Sequence, residues 1–283
     1  MTYTTLIDSK SLQARLDSNR WVVLDCRFSL AEPDAGFQSY REAHIPGAQF
    51  VDLERDASGE ITPDTGRHPL PDASEFASLV GQLGVQPDSQ VVVYDDSDGA
   101  MAARTWFLLR WIGHKNVAVL DGGLQSWMEM GGELSSDVAQ PDAQLSYPTP
   151  PVHDFVVSSE EVERIIDRDV DALIDARASI RFLGIEEPID DRAGHIPGAI
   201  NRPYSMNLNE NGKFKSADTL RAEWTELLNN RPAIVMCGSG VTACHHLVAM
   251  SLAGIKGARL YAGSWSEWIR DEHRPITERV PLA

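Results

Sequence analysis

The chain has 283 residues, 42% of them apolar and 24% charged, with a formal charge of −17. That length suits one large or two ordinary domains, and the apolar share is normal for a globular protein with real cores. The acidic balance argues against nucleic acid and anionic membrane surfaces as partners, and no apolar run approaches the roughly 20 residues of a membrane span.

The N-terminus, "MTYTTLIDSKSL", has no basic start leading into an apolar stretch, so no signal peptide is expected. "WVVLD" (21–25) reads as a strand, and "REAHIPGAQF" (41–50) follows it. The segment 54–72, "ERDASGEITPDTGRHPLPD", reads as loop, and "SEFASLVGQLG" (74–84) as helix. A second strand, "VVVYD" (91–95), leads to a helix over 102–113 and then to a third strand in "NVAVLD" (116–121). The stretch 135–152, rich in Pro, Ser and Asp, reads as a linker region. The cycle then restarts, with strands "ALIDA" (172–176), "AIVMC" (233–237) and "ARLYA" (258–262) and a helix over 243–254.

The second half repeats the first. "WVVLDCRF" pairs with "DALIDARA", "REAHIPGAQF" with "RAGHIPGAIN", "SQVVVYDDSDG" with "RPAIVMCGSGV", and "IGHKNVAVLDGGLQSW" with "AGIKGARLYAGSWSEW". Four matches in one order indicate a duplication. Strands apolar throughout, alternating with helices, imply parallel sheets covered by helices. The fold class is therefore α/β, with two tandem domains, each a parallel sheet with helices on both faces. The expected boundaries are 1–138, a linker at 139–152, and 153–283. The first copy carries the longer loop, centred on 54–72.

In a parallel sheet, ligands sit beyond the carboxyl ends of the strands. Cys237 falls there in the second copy, where the first copy has Asp95. Gly238 and Gly240 permit backbone angles that crowd N–H groups toward one point, and the following helix turns its positive end the same way. Such a nest favours a thiolate and cradles an anion bonded to its sulfur. The alternative on loop context alone is a buried strand-end cysteine that packs as a small hydrophobe. Because the first copy has no thiol at this position, only the second copy can do sulfur chemistry.

The wording "CGSGVTAC" and the paired "HIPGA" motifs resemble the rhodanese superfamily, specifically its two-domain sulfurtransferases, over nearly the whole chain. The Gly-Ser-Gly-Val-Thr run after the cysteine is similar to the 3-mercaptopyruvate branch; the thiosulfate branch carries basic residues there. The resemblance implies covalent double displacement: Cys237 takes sulfur as a persulfide from a small anionic donor and passes it to a thiol or cyanide. The implied partners are the donor and an acceptor such as thioredoxin or a small thiol. It also implies no cofactor, no metal and a monomer. Arg181, in "SIRFLG", matches the family's substrate arginine, with Arg192 the nearest candidate for a second one. The acidic run 186–191 beside it is unexpected for a carboxylate pocket. Ser239 matches the loop serine of a proton relay whose other implied members are His68 and Glu54. Val241 and Thr242 shape the loop through their N–H groups.

Other readings compete with this one. A thiosulfate sulfurtransferase shares the chemistry, and a non-catalytic sulfur-binding module shares the fold. A phosphatase or arsenate reductase needs an arginine six positions after the cysteine, where this chain has Ala243. His44, His195 and the duplicated pairs Asp25/Arg27 and Asp175/Arg177 read as structural. Cys244, His245 and His246 lie on one helical turn pointing different ways, a poor arrangement for a metal. Three scattered cysteines do not form a disulfide framework and suit a reducing cytoplasm.

Overall fold

The structure, a computed structural model, describes residues 2–138, 147, 153–166, 168 and 170–278; the linker expected at 139–152 lies almost wholly outside them. The chain divides into two compact units. Unit 1 comprises Met1–Gly59, Leu70–His153 and Glu210–Phe214; unit 2 comprises Glu60–Pro69, Asp154–Asn209 and Lys215–Ala283.

Unit 1 runs β1 (Leu6–Ile7), α1 (Ser9–Gln13), β2 (Trp21–Asp25), α2 (Ala35–Glu42), β3 (Gln49–Phe50), α3 (Ala73–Gln82), β4 (Gln90–Tyr94), α4 (Ala102–Trp111), β5 (Val117–Leu120) and α5 (Gly123–Glu129). Unit 2 runs β6 (Val156–Val157), α6 (Ser159–Ile166), β7 (Ala172–Asp175), α7 (Ser179–Phe182), β8 (Ile200–Asn201), α8 (Ala217–Leu228), β9 (Ala233–Met236), α9 (Ala243–Ala253), β10 (Arg259–Tyr261) and α10 (Ser264–Trp268). Their sheets have the same five-stranded order, β1-β5-β4-β2-β3 and β6-β10-β9-β7-β8, and every pair is parallel. The two-residue edge strands carry no sequence signal, because so short a run has no periodicity.

The apolar runs become the central strands because both of their faces are covered. All of β4 and β9 is buried, and the helices that follow them, α4 and α9, bury nearly every residue. Caps set the ends of other helices. The Asp72 carboxylate accepts from Ser74 and Glu75 N–H at 2.8 and 3.1 Å, and left-handed Asn229 closes α8.

The duplicated motifs are the frame of each unit. Arg27 and Arg177 each fork onto the aspartate two residues back at 2.7 Å, and each guanidinium also donates to a backbone carbonyl, of Ala43 or Gly194. His44 stacks on Tyr40 and bonds its carbonyl, and His195 does the same with Phe182. Trp127 and Trp268 each donate their indole N–H to a carbonyl further along, at 2.8 and 2.9 Å. These groups, buried or partly buried, all have partners, so they hold loops in place.

Candidate active site

The centre of the unit 2 sheet carries the site. From β7 the chain goes outward to β8, and from β9 it goes the other way to β10, so adjacent β7 and β9 form the switch point where connections diverge. Cys237 is the residue after β9 and is 2% exposed. Its N–H donates to Ser264 Oγ at 3.0 Å and its carbonyl accepts from Trp265 at 3.1 Å. The next carbonyl, of Gly238, accepts from Ser266 N–H at 2.8 Å. The thiol is thus presented by a loop clamped to the start of α10.

The two loop glycines serve different needs. Gly240 has φ +76°, and a Cβ there would stand 2.2 Å from the Ala262 carbonyl oxygen. Gly238 lacks a positive φ, and the ends of two guanidinium side chains lie beside it. A Cβ there would stand 2.9 Å from Arg67 Nη2 and 3.5 Å from both Nη atoms of Arg181. The backbone freedom expected of both glycines is used at Gly240 and not at Gly238, whose φ is not positive.

The first copy displays what this loop does to an anion. Asp95, at the cysteine position, is fully buried and accepts four backbone N–H bonds: Ser97 and Gly99 on Oδ1 at 2.9 and 2.8 Å, Met101 and Ala102 on Oδ2 at 2.7 and 2.8 Å. Burial pushes its carboxyl up, and these four donors pull against it. The donors lie 2, 4, 6 and 7 residues on. The second loop is one residue shorter, with α9 starting six residues after Cys237 where α4 starts seven after Asp95, and Cys244 N–H already donates to the Val241 carbonyl at 3.0 Å. The four donors of the first loop therefore do not transfer position by position, although both loops lead from a strand end through a left-handed glycine into a helix.

Ser239 and His68 are brought together, with Oγ 2.7 Å from Nδ1 and both residues buried. His68 arrives on the segment 60–69, which packs in unit 2 although it precedes β4 in the chain. Close approach depends on Gly66, where a Cβ would stand 2.6 Å from the Gly263 carbonyl and 2.7 Å from Ser266 Oγ. Glu54, the acid named from sequence, belongs to unit 1; its side chain is exposed and its N–H donates to Asp52.

Arg181, on α7 beyond β7, donates to Glu187 at 2.7–3.1 Å and to Asp190 at 2.9 Å. Arg177 also reaches Glu187, at 3.4 Å, and lies over the Trp265 ring. Glu187 and Asp190 are only 3% and 4% exposed. The acidic run is therefore in part an internal partner of the site's cations, which keeps this cluster of charge stable without a ligand. Arg192 lines a cleft of about 410 Å³ with Arg67, Asp190, Ser266 and Arg270, and its carbonyl accepts from Trp265 Nε1. Thr242 immediately precedes α9 with no side-chain cap. Cys244 donates to Gly240 O, and both His245 and His246 bond Asn207. Among the described residues no three His, Cys, Asp or Glu side chains are placed to hold a metal.

Arg67 has no distinguishing mark in the sequence. Its adjacency to His68 was the available signal, but nothing local indicated that it would reach Gly238.

Comparison with known proteins identifies the family. The rhodanese-like domain model matches twice, at residues 8–130 and 158–271. A Pseudomonas aeruginosa protein named "Probable 3-mercaptopyruvate sulfurtransferase" is 45% identical, covering 98% of this chain and 99% of that protein. The chicken thiosulfate sulfurtransferase (Gallus gallus) is 35% identical, over 87% of this chain and 85% of its own. The crystal structure of SseA from Escherichia coli, described among the 3-mercaptopyruvate sulfotransferases, superposes with a TM-score of 0.82 at 32% identity, covering 93% of this chain and all of SseA. With both halves matched and relatives similar along almost their full lengths, the chain belongs to the rhodanese-like family, as a protein of two such domains.

Proposed function

We propose that the protein is a sulfurtransferase that moves sulfur from 3-mercaptopyruvate, through a persulfide on Cys237, to a thiol or cyanide. The observation that carries this reading is the Cys237 loop, with Ser239 on His68 and Arg181 beside Gly238. The Gly-Ser-Gly-Val-Thr run and the 45% identical relative support mercaptopyruvate as the donor.

The Cys237 thiolate attacks the donor's sulfur. The new S–S bond forms as the S–CH₂ bond breaks, and the electron pair passes to the methylene carbon as the enolate of pyruvate. That carbon takes the proton the donor thiol brought, so pyruvate leaves and a persulfide anion remains. The Ser239–His68 hydrogen bond supports this pair as the carrier of that proton. The N–H groups of the loop from Gly238 to Thr242 hold the persulfide charge at the start of α9. In the second half an acceptor thiol attacks the outer sulfur and restores the Cys237 thiolate. Arg181 binds the donor carboxylate by a forked pair of hydrogen bonds, Arg192 standing in the adjoining cleft.

On this reading the sheet within residues 1–138 is the non-catalytic copy, the segment 60–69 belonging with unit 2, and residues 153–283 carry the catalytic copy. The protein works as a monomer in a reducing cytoplasm, which suits three buried cysteines outside any disulfide. No described helix is long and apolar enough to cross a membrane.

The test is kcat/KM for 3-mercaptopyruvate and for thiosulfate with one thiol acceptor. A higher value for 3-mercaptopyruvate is expected. Preference for thiosulfate would overturn the donor assignment, and inactivity with both would favour a sulfur-binding module.

A further inference from the structure

A donor anion at Cys237 in a chain of charge −17 needs more local positive charge than one arginine already neutralised by Glu187 and Asp190 supplies. The crowding at Gly238 shows where more is found. Arg67 Nη2 is nearer to this glycine's missing Cβ than either Nη of Arg181. Arg67 Nη1 is paired with Asp190, while its Nε is buried and without a hydrogen-bond partner. Such a donor costs free energy until an acceptor arrives.

The surroundings hold this side chain in place. Arg67 N–H donates to Ser266 Oγ at 3.1 Å, and Ser266 N–H donates to the Gly238 carbonyl, so one serine ties the arginine's backbone to the cysteine loop. The Arg67 guanidinium is held below its ordinary range by burial and then by the Arg181 charge, and Cys237 and Glu187 pull it back. Two like charges flank one spot on the loop, with Asp190 bridging them. An anion entering there relieves that repulsion as the bridging carboxylate does now.

We propose that Arg67 is the second donor-binding guanidinium, acting with Arg181 on the small anionic group of the sulfur donor, and that the Asp190 carboxylate occupies this position when no donor is bound. The assignment rests on the proposed sulfur transfer at Cys237. It differs from the expectation for Arg192, which lines the cleft beside this spot. Asp190 then acts as a built-in competitor that keeps other weak anions out.

The experiment is a donor titration of wild type and of Arg67→Ala, Arg67→Gln and Arg67→Lys, using 3-mercaptopyruvate and separately thiosulfate, with one thiol acceptor. Circular dichroism and thermal melting check the fold; the two polar variants keep the test open should Arg67→Ala fold poorly. Loss of a charge-assisted pair predicts a donor KM raised by about 10- to 100-fold in the Ala and Gln variants. The lysine variant, which keeps the charge and loses the fork, should lie between them and wild type. Millimolar guanidinium should recover part of the activity of Arg67→Ala, which a purely structural arginine would not predict. A folded variant with unchanged donor KM overturns the inference alone, whatever happens to kcat. Absence of turnover in wild type with both donors overturns the proposed function and the inference with it.

Discussion

Replacing Asp95 by alanine removes the anion from the first copy's loop and strands four N–H donors at once. A buried donor left unmade costs about 1–3 kcal/mol, so four would reach about 4–12 kcal/mol in a rigid site. Two effects reduce this. The carboxyl is already strained by its own burial, so its loss relieves a desolvation cost, and a water can enter the vacated space and accept some of the bonds. A net loss of about 3–5 kcal/mol is expected, large for a single substitution. Asp95→Asn should also destabilise, because its carbonyl accepts from Ser97 and Gly99 while its amide N–H₂, a donor, opposes the Met101 and Ala102 N–H groups. The assay is urea unfolding followed by tryptophan fluorescence, with the denaturant slope checked for constancy. Persulfide formation at Cys237 in the folded variant should be retained. A loss below about 1 kcal/mol for Asp95→Ala would refute the idea that this loop is an anion cradle.

Three further outcomes follow from individual side chains. Ser239→Ala and His68→Gln should each slow persulfide formation by about 10²-fold in rapid-mixing experiments with little change in donor affinity, and the double variant should be barely worse than either; additive losses would contradict a shared proton path. Arg181→Ala should raise donor KM by about 10- to 100-fold, and an unchanged KM would remove it from the site. Burial, then the neighbouring His245 charge, pushes His246 from an ordinary 6.5 down to about 3. The unfolded chain therefore takes this proton first, so stability is full above about 6.5 and is lost as pH falls toward about 3. A flatter profile in His246→Gln would agree, and an identical slope would not.

The duplicated frame was legible because its signals are local: apolar strands, paired "HIPGA" motifs, and a cysteine opposite an aspartate. Strands at 21–25, 172–175 and 233–236 begin at the residues the pattern indicated. What escaped depends on distant chain segments meeting. Arg67 looks like any loop arginine until residues 60–69 pack in unit 2. The run 186–191 reads as solvated charge by composition, yet Glu187 and Asp190 turn inward because three guanidinium groups converge on them. Gly238 looked like a turn glycine, and only the folded loop reveals two arginine side chains beside it.

The most direct test mixes the protein with one equivalent of 3-mercaptopyruvate and no acceptor, then records pyruvate release and the intact mass. The account predicts one pyruvate per protein and a gain of about 32 Da, one sulfur, located on Cys237 and removed by an added thiol. Cys237→Ser should fold and show neither. Pyruvate release without that adduct, or the adduct on Cys26 or Cys244, would contradict it.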